Sequence, residues 1–181
     1  MKTTIRHKLF TLRKWDASDA PSLAEHANDI VISRNVRDGF PHPYSINDAT
    51  SYIEYLHISN TADLNFAIVI NDKAVGGIGL VTFTDIERYG AELGYWLGTA
   101  FRGQGIMTEV VRTFTKYVLL NTNIVRLFAS VFEFNRASAR VLEKTGFRFI
   151  GTLRKAAFKD NRFVNMLYYE IIDEDISTLP F

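Results

Sequence analysis

The stretch Gly94-Tyr95-Trp96-Leu97-Gly98-Thr99-Ala100-Phe101-Arg102-Gly103-Gln104-Gly105-Ile106-Met107-Thr108-Glu109 carries an apolar strand into a helix through a short glycine-bearing loop. The first amides of a helix have no internal acceptor, and they carry the positive end of its dipole. Gly103 and Gly105 can take positive φ and let backbone N–H groups close on an anion. Such a loop is a nest for phosphate oxygens. Arg102 adds a permanent charge with forked donors, and Thr108 adds a hydroxyl. The same glycines also suit a plain turn before an ordinary helix, because short glycine motifs recur by chance. No Lys-Ser/Thr follows them, which excludes a nucleoside-triphosphate P-loop, and the run is not the Gly-x-Gly-x-x-Gly of a dinucleotide fold.

Two more segments hold reactive groups. Glu92 sits in the strand before the loop, and alternation puts Glu92, Gly94 and Trp96 on one face. A carboxylate in an apolar strand is costly to bury without a partner; it is either a working base or a solvent-facing or ion-paired side chain. Asn135 stands where it can cap a helix over Arg136-Ala137-Ser138-Ala139-Arg140-Val141-Leu142-Glu143-Lys144, with Gly146 as terminator. His7, His26, His42 and His57 show no metal-ligand spacing, and the chain has no cysteine, so no metal and no thiolate chemistry is expected.

The elements that must position these groups read as β-α-α-β-β-β-α-β-α-β-β. Leu9 to Trp15 alternates as a first strand, followed by a helix from about Asp19 to Asn28, capped by Asp16 or Ser18. Asp38 to Tyr44 is a turn-rich loop, after which Ser45 or Asn47 caps a helix with Ala49, Tyr52, Ile53 and Leu56 on its apolar face. Leu64–Ile70, Val75–Phe83 and Ala91–Leu97 read as strands. Ile106, Val110, Phe114 and Val118 form a helical stripe. Val125–Phe132 is a further strand, and Phe147–Leu153 with Phe163–Ile172 makes a closing hairpin around Lys159-Asp160-Asn161-Arg162.

The chain of 181 residues fits a single domain over 1–181, with 47% hydrophobic and 23% charged residues in the globular range. A net charge of +1 gives no electrostatic reason to expect nucleic acid or an anionic membrane as partner. The N-terminal residues lack a signal-like apolar core and no run is long enough for a membrane span, so a soluble, cytoplasmic protein is expected.

Arg102-Gly103-Gln104-Gly105-Ile106-Met107 resembles the GNAT superfamily signature Arg/Gln-x-x-Gly-x-Gly/Ala, with Met107 in place of the usual small residue. Asn135 to Phe147 is similar to the family's Asn-x-x-Ala/Ser…Glu-Lys-x-Gly-Phe helix, and the element order matches along nearly the whole chain. The Asn-x-x-Ser form, Leu12-Arg13…Asp19-Ala20 and Phe40-Pro41-His42-Pro43 resemble the branch containing the ribosomal-protein alanine and serine N-terminal acetyltransferases. That resemblance implies a mixed, mostly antiparallel α/β (α+β) sheet of six to seven strands, flanked by helices on both faces. It implies an acetyl-CoA-dependent N-acetyltransferase acting on a primary amine, most readily a protein or peptide N-terminus, as a monomer or homodimer.

On the same resemblance, the coenzyme A diphosphate falls on Arg102, Gly103, Gln104, Gly105, Ile106, Met107 and Thr108, and the pantetheine arm lies along Tyr95-Trp96-Leu97. An amide near Leu97 serves as oxyanion donor, Glu92 as general base through water, Asn135 as pantetheine partner, Ser138 as a group near the sulfur, and Arg140 as a reach to the nucleotide phosphate; Asn135 and Ser138 are also the polar candidates for a catalytic part at the thiolate. Leu142 stands where many relatives have the tyrosine that protonates the thiolate. A small-molecule amine acceptor (a polyamine, aminoglycoside or amino acid derivative) and a non-catalytic acetyl-CoA sensor are the competing readings. The acceptor loops are about Arg34 to Tyr44 and Phe158 to Phe163.

Overall fold

Polar residues flank the first strands, so their signal is carried by pairing rather than by apolar pattern. In the computed structural model, which describes residues 4–58 and 64–178, β1 (Thr4–Arg6) pairs antiparallel with β2 (Thr11–Arg13). Only Leu12 of β2 is buried. This three-residue β1 brings the described strands to eight rather than the six to seven expected, and β2 is shorter than the Leu9–Trp15 strand read from alternation.

Chain contacts gather into two compact units, Met1–Leu80 with Gly94–Ile106, and Val81–Leu93 with Met107–Phe181. In the first unit, Asp16 caps a short 3-10 turn, accepting from the Ser18 amide at 2.9 Å, while Asp19 reaches back to the Asp16 amide at 2.9 Å. Asp19 is buried and takes both terminal nitrogens of Arg13, at 2.6 and 2.7 Å. That fork joins β2 to the start of α1 (Ala20–Ala27). A helix not expected from sequence, α2 (Ile30–Asn35), follows at once; it has six residues, three of them β-branched, and it forms because the Asp29 side chain caps Val31 at 2.7 Å. α3 (Ile46–Ile58) begins at a reciprocal cap. The Asp48 carboxylate accepts from the Ser45 amide at 2.8 Å, and the Asp48 amide donates to the Ser45 hydroxyl at 3.2 Å. α1 and α3 bury Leu23, Ala24, Ala27, Ala49, Ile53 and Leu56 in one cluster with Trp15 and Tyr44.

β3 (Asn65–Ile70) and β4 (Lys73–Thr82) form a hairpin, with β3 also paired to β2. β5 (Gly90–Leu97) lies next in the order and runs from the second unit into the first. The first unit therefore reads β1-β2-β3-β4-β5, and the second β5-β6-β8-β7. β5 and β6 (Arg126–Phe132) pair in parallel, with Gly90, Ala91 and Glu92 opposite Arg126, Leu127 and Phe128. Between them in sequence runs α4 (Ile106–Asn121), as a parallel connection requires. Its Val110, Phe114 and Val118 are fully buried.

α5 (Arg136–Lys144) ends at Gly146, whose φ is 87°. The Phe147 amide donates to the Leu142 carbonyl at 3.0 Å and the Gly146 amide to that of Glu143 at 3.3 Å, a six-to-one and five-to-two closure. β7 (Arg148–Lys159) and β8 (Arg162–Ile172) make the closing hairpin. β7 continues past the expected end at Leu153, because after register shifts between Phe149 and Gly151 and between Leu153 and Ala157 it pairs with β8 again, Ala157 opposite Val164; the broken alternation hides this from the sequence. Lys155 takes a φ of 51° in the second shift, and its amide donates to Asn165 Oδ1 at 2.8 Å. β7 ends the strand order, with Phe149, Ile150, Leu153 and Phe158 exposed. Among the described residues no helix is long and apolar enough to cross a membrane.

Replacing Asp19 by alanine leaves a half-buried guanidinium without its fork. The expected loss is about 3 kcal/mol of unfolding free energy, read by urea denaturation.

Candidate active site

In the first unit, β5 ends in a braced turn. The Gly98 amide donates to the Val75 carbonyl at 2.8 Å, tying the strand end to β4. A 3-10 turn over Thr99–Phe101 follows. The Thr99 hydroxyl donates to Asp29 Oδ2, so one carboxylate both caps α2 and holds this turn. The Phe101 ring meets His26 of α1 edge-on, with centroids 5.5 Å apart. Arg102 donates from Nε to the Leu97 carbonyl at 2.9 Å, and Gln104 Nε2 to the Ala100 carbonyl at 3.1 Å. The Gln104 side chain thus serves the turn itself. Gly103 and Gly105 have φ of 76° and 77°, and a Cβ at either would meet open space. Their glycine identity answers conformation, not crowding.

Among the described residues, the amides of Gly103, Gln104, Gly105, Ile106, Met107 and Thr108 find no acceptor outside the helix that starts at Ile106. The terminal nitrogens of Arg102 likewise have no described acceptor. Burial pulls the Arg102 guanidinium below its usual value, and the Asp29 charge opposes that pull. The Ile106 side chain is buried, while those of Met107 and Thr108 are half-buried. Donors of this kind, in a run at the positive end of a sixteen-residue helix, suit a multiply charged oxyanion. Trp96 is half-buried and Leu97 buried, with the Leu97 carbonyl already taken by Arg102.

In the second unit, Glu92 is half-buried and its Oε1 accepts from the Ser130 hydroxyl at 2.5 Å. Ser130 lies on β6, and sequence gave no signal of it because the two residues meet only through strand pairing. Asn135 caps α5, its Oδ1 accepting from the Ser138 amide at 3.2 Å. That uses the oxygen, and among the described residues no acceptor is found for its Nδ2. Ser138 is half-buried and Arg140 exposed. Leu142 is fully buried. Glu109 in the first turn of α4 ion-pairs with Arg112, which also donates to the Lys144 carbonyl at 3.1 Å. No group of His, Asp or Glu among the described residues is arranged to hold a metal ion.

The Thr99 hydroxyl, then the Val31 amide, hold the Asp29 carboxyl below the usual range, with Arg102 and His42 adding to this against a smaller effect of burial. Because folding depresses it, the tie between α2 and the turn is intact above about pH 4 and is lost as pH falls through the depressed value. The Thr99 and Val31 amide NMR signals are expected to titrate together below that pH. Asp29→Asn should abolish the titration.

Residues 10–148 match the model of the acetyltransferase (GNAT) domain family. The probable N-acetyltransferase YjcK of Bacillus subtilis (strain 168) is 34% identical over 106 residues, a stretch spanning 59% of this chain and 59% of that relative. RimL, a ribosomal L7/L12 alpha-N-protein acetyltransferase solved in complex with coenzyme A, superposes with a TM-score of 0.84 at 20% identity, covering 93% of this chain and 97% of that one. MccE, a microcin C7 self-immunity acetyltransferase solved with acetyl-CoA and AMP, gives 0.80 at 23% identity, covering 95% and 97%.

Proposed function

Because the chain belongs to the GNAT acetyltransferase domain family and is an acyltransferase, we propose that it moves an acetyl group from acetyl-CoA directly to a primary amine in the cytoplasm, most favourably a protein or peptide N-terminus, as one domain over residues 1–181. The observation that carries this is the run of amides from Gly103 to Thr108 that, among the described residues, find no acceptor outside their own helix, next to Arg102, whose terminal nitrogens have no described acceptor. A diphosphate supplies the oxygens that these donors lack. Asn135 Nδ2 is left to donate to an amide carbonyl of the pantetheine arm, and exposed Arg140 to a nucleotide phosphate.

In the reaction the amine nitrogen forms a bond to the thioester carbonyl carbon, and the C–S bond breaks. Glu92 takes the proton that the amine sheds, through a water, while a backbone amide at Leu97 donates to the oxyanion. Ser130 holds that carboxylate in place. The departing thiolate takes up a proton. Leu142, buried and without a hydroxyl, supplies none, so this role falls to the region of Ser138. The likeness to RimL supports a protein N-terminus as acceptor.

Arg102→Ala is expected to weaken coenzyme A binding by about 1–3 kcal/mol through loss of a charge-assisted hydrogen bond; calorimetry showing parent affinity would remove the diphosphate from this loop. Glu92→Gln should slow turnover most at low pH, where little amine is already neutral. A mutant-to-parent rate ratio that stays flat across pH would take Glu92 out of the mechanism. A thiol-release screen of peptide and small amines with acetyl-CoA then decides the acceptor class.

A further inference from the structure

β4 carries glycine at 76, 77 and 79 within a strand interior, a composition that weakens a strand unless something approaches it closely. At Gly76 and Gly77 the approach comes from the end of β5, and at Gly79 from Asn65 of β3. A Cβ at Gly76 would stand 2.6 Å from the Trp96 carbonyl oxygen, and one at Gly77 would stand 2.8 Å from Trp96 Nε1 and 3.2 Å from Trp15 Cζ2. No real Cβ tolerates the contacts under 3.0 Å. At Gly77 the obstacle is a rigid indole, so the ring would have to leave its seat.

The Trp96 ring also meets Phe40, whose centroid lies 5.7 Å away at an interplanar angle of 68°. Phe40 comes from the loop before α3. It is fixed there by its amide on the Arg37 carbonyl at 3.0 Å and by its ring on buried Tyr44 at 4.8 Å. Tyr44 in turn donates its amide to Asn28 Oδ1 at 3.0 Å. Phe40 and Trp96 both stay half-buried while the residues beneath them are closed off. Trp96 directly precedes Leu97, whose backbone the proposed function sets beside the reacting carbonyl.

We propose that Gly77 is a positioning residue for acetyl transfer: by lacking a side chain it seats the Trp96 indole, and the seated indole with Phe40 forms the wall that selects acceptors carrying an apolar or aromatic group next to the amine. This rests on the acetyltransferase reading above. The two half-buried rings carry no charge, so such a wall rewards a desolvated hydrocarbon and leaves an acidic neighbour unpaired.

The test is a steady-state comparison of Phe-, Leu-, Ser- and Glu-initiated tetrapeptides with phenethylamine and ethanolamine, using the full chain and acetyl-CoA. The parent should favour the apolar members in kcat/KM by about tenfold or more. Gly77→Ala should erase that preference, keep the coenzyme A dissociation constant within about twofold, and shift tryptophan emission. Adding Trp96→Phe to Gly77→Ala should recover part of the lost kcat/KM, since the smaller ring tolerates the methyl. If Gly77→Ala does not fold, Phe40→Ala must lose the same preference. Turnover without apolar preference in the parent overturns the wall alone. So does Gly77→Ala matching the parent, or losing coenzyme A affinity in step with acceptor efficiency. Tight coenzyme A binding with no thiol release from any acceptor overturns the acetyltransferase reading as well.

Discussion

Backbone N–H groups without acceptors are what the surrounding structure is built to hold. A free loop would fold back to satisfy them. This one cannot, because every residue on its approach is committed elsewhere: Gly98 to β4, Thr99 to Asp29, Phe101 to His26, and Arg102 to the Leu97 carbonyl. Even the Gln104 side chain turns back onto Ala100. The braces are ordinary in strength, each worth about 1 kcal/mol net. Together they fix the direction in which the amides point, and preorganisation of that kind is what an anion site needs.

Two carboxylates, one in each unit, show how context divides similar groups. Asp29 is a structural acid, occupied on both oxygens by the Val31 amide and the Thr99 hydroxyl. Glu92 receives a serine hydroxyl on Oε1 and sits half-open on a strand. Asn135 shows the same economy within one side chain, since its oxygen caps a helix while its nitrogen has no acceptor among the described residues. Leu142 is fully buried and brings no polar group. Its side chain is sealed in the core above the Gly146 closure, so nothing polar could act from that position without reopening the packing.

Much of this was legible in the residue order. The loop glycines, the Asn135 cap, the Gly146 stop and the stripe of Val110, Phe114 and Val118 are local signals, and each lies in the element expected of it. What escaped was of two kinds. Short elements held by one contact left no periodicity: β1 depends on pairing with β2, and α2 on a single aspartate cap, although Asp29 before an apolar run is a cap signature that could have been read. Contacts across strands were invisible in principle. Ser130 beside Glu92, and Trp96 above Gly77, join residues 38 and 19 positions apart. The glycines of β4 were the one available hint of the second contact.

The rim of β7 has a consequence for the molecule in a crowded solution. A long outer strand bearing Phe149, Ile150, Leu153 and Phe158 is the kind of surface on which foreign chains grow. Here the ladder is broken twice along its length, and Arg154 and Lys155 fall at the second break. An incoming chain therefore meets a staggered row of donors and two adjacent like charges, and only short lengths of it can zip on. The Asn165 hydrogen bond that holds Lys155 at positive φ thus sits at a break of the kind that blunts an edge strand against pairing with another chain.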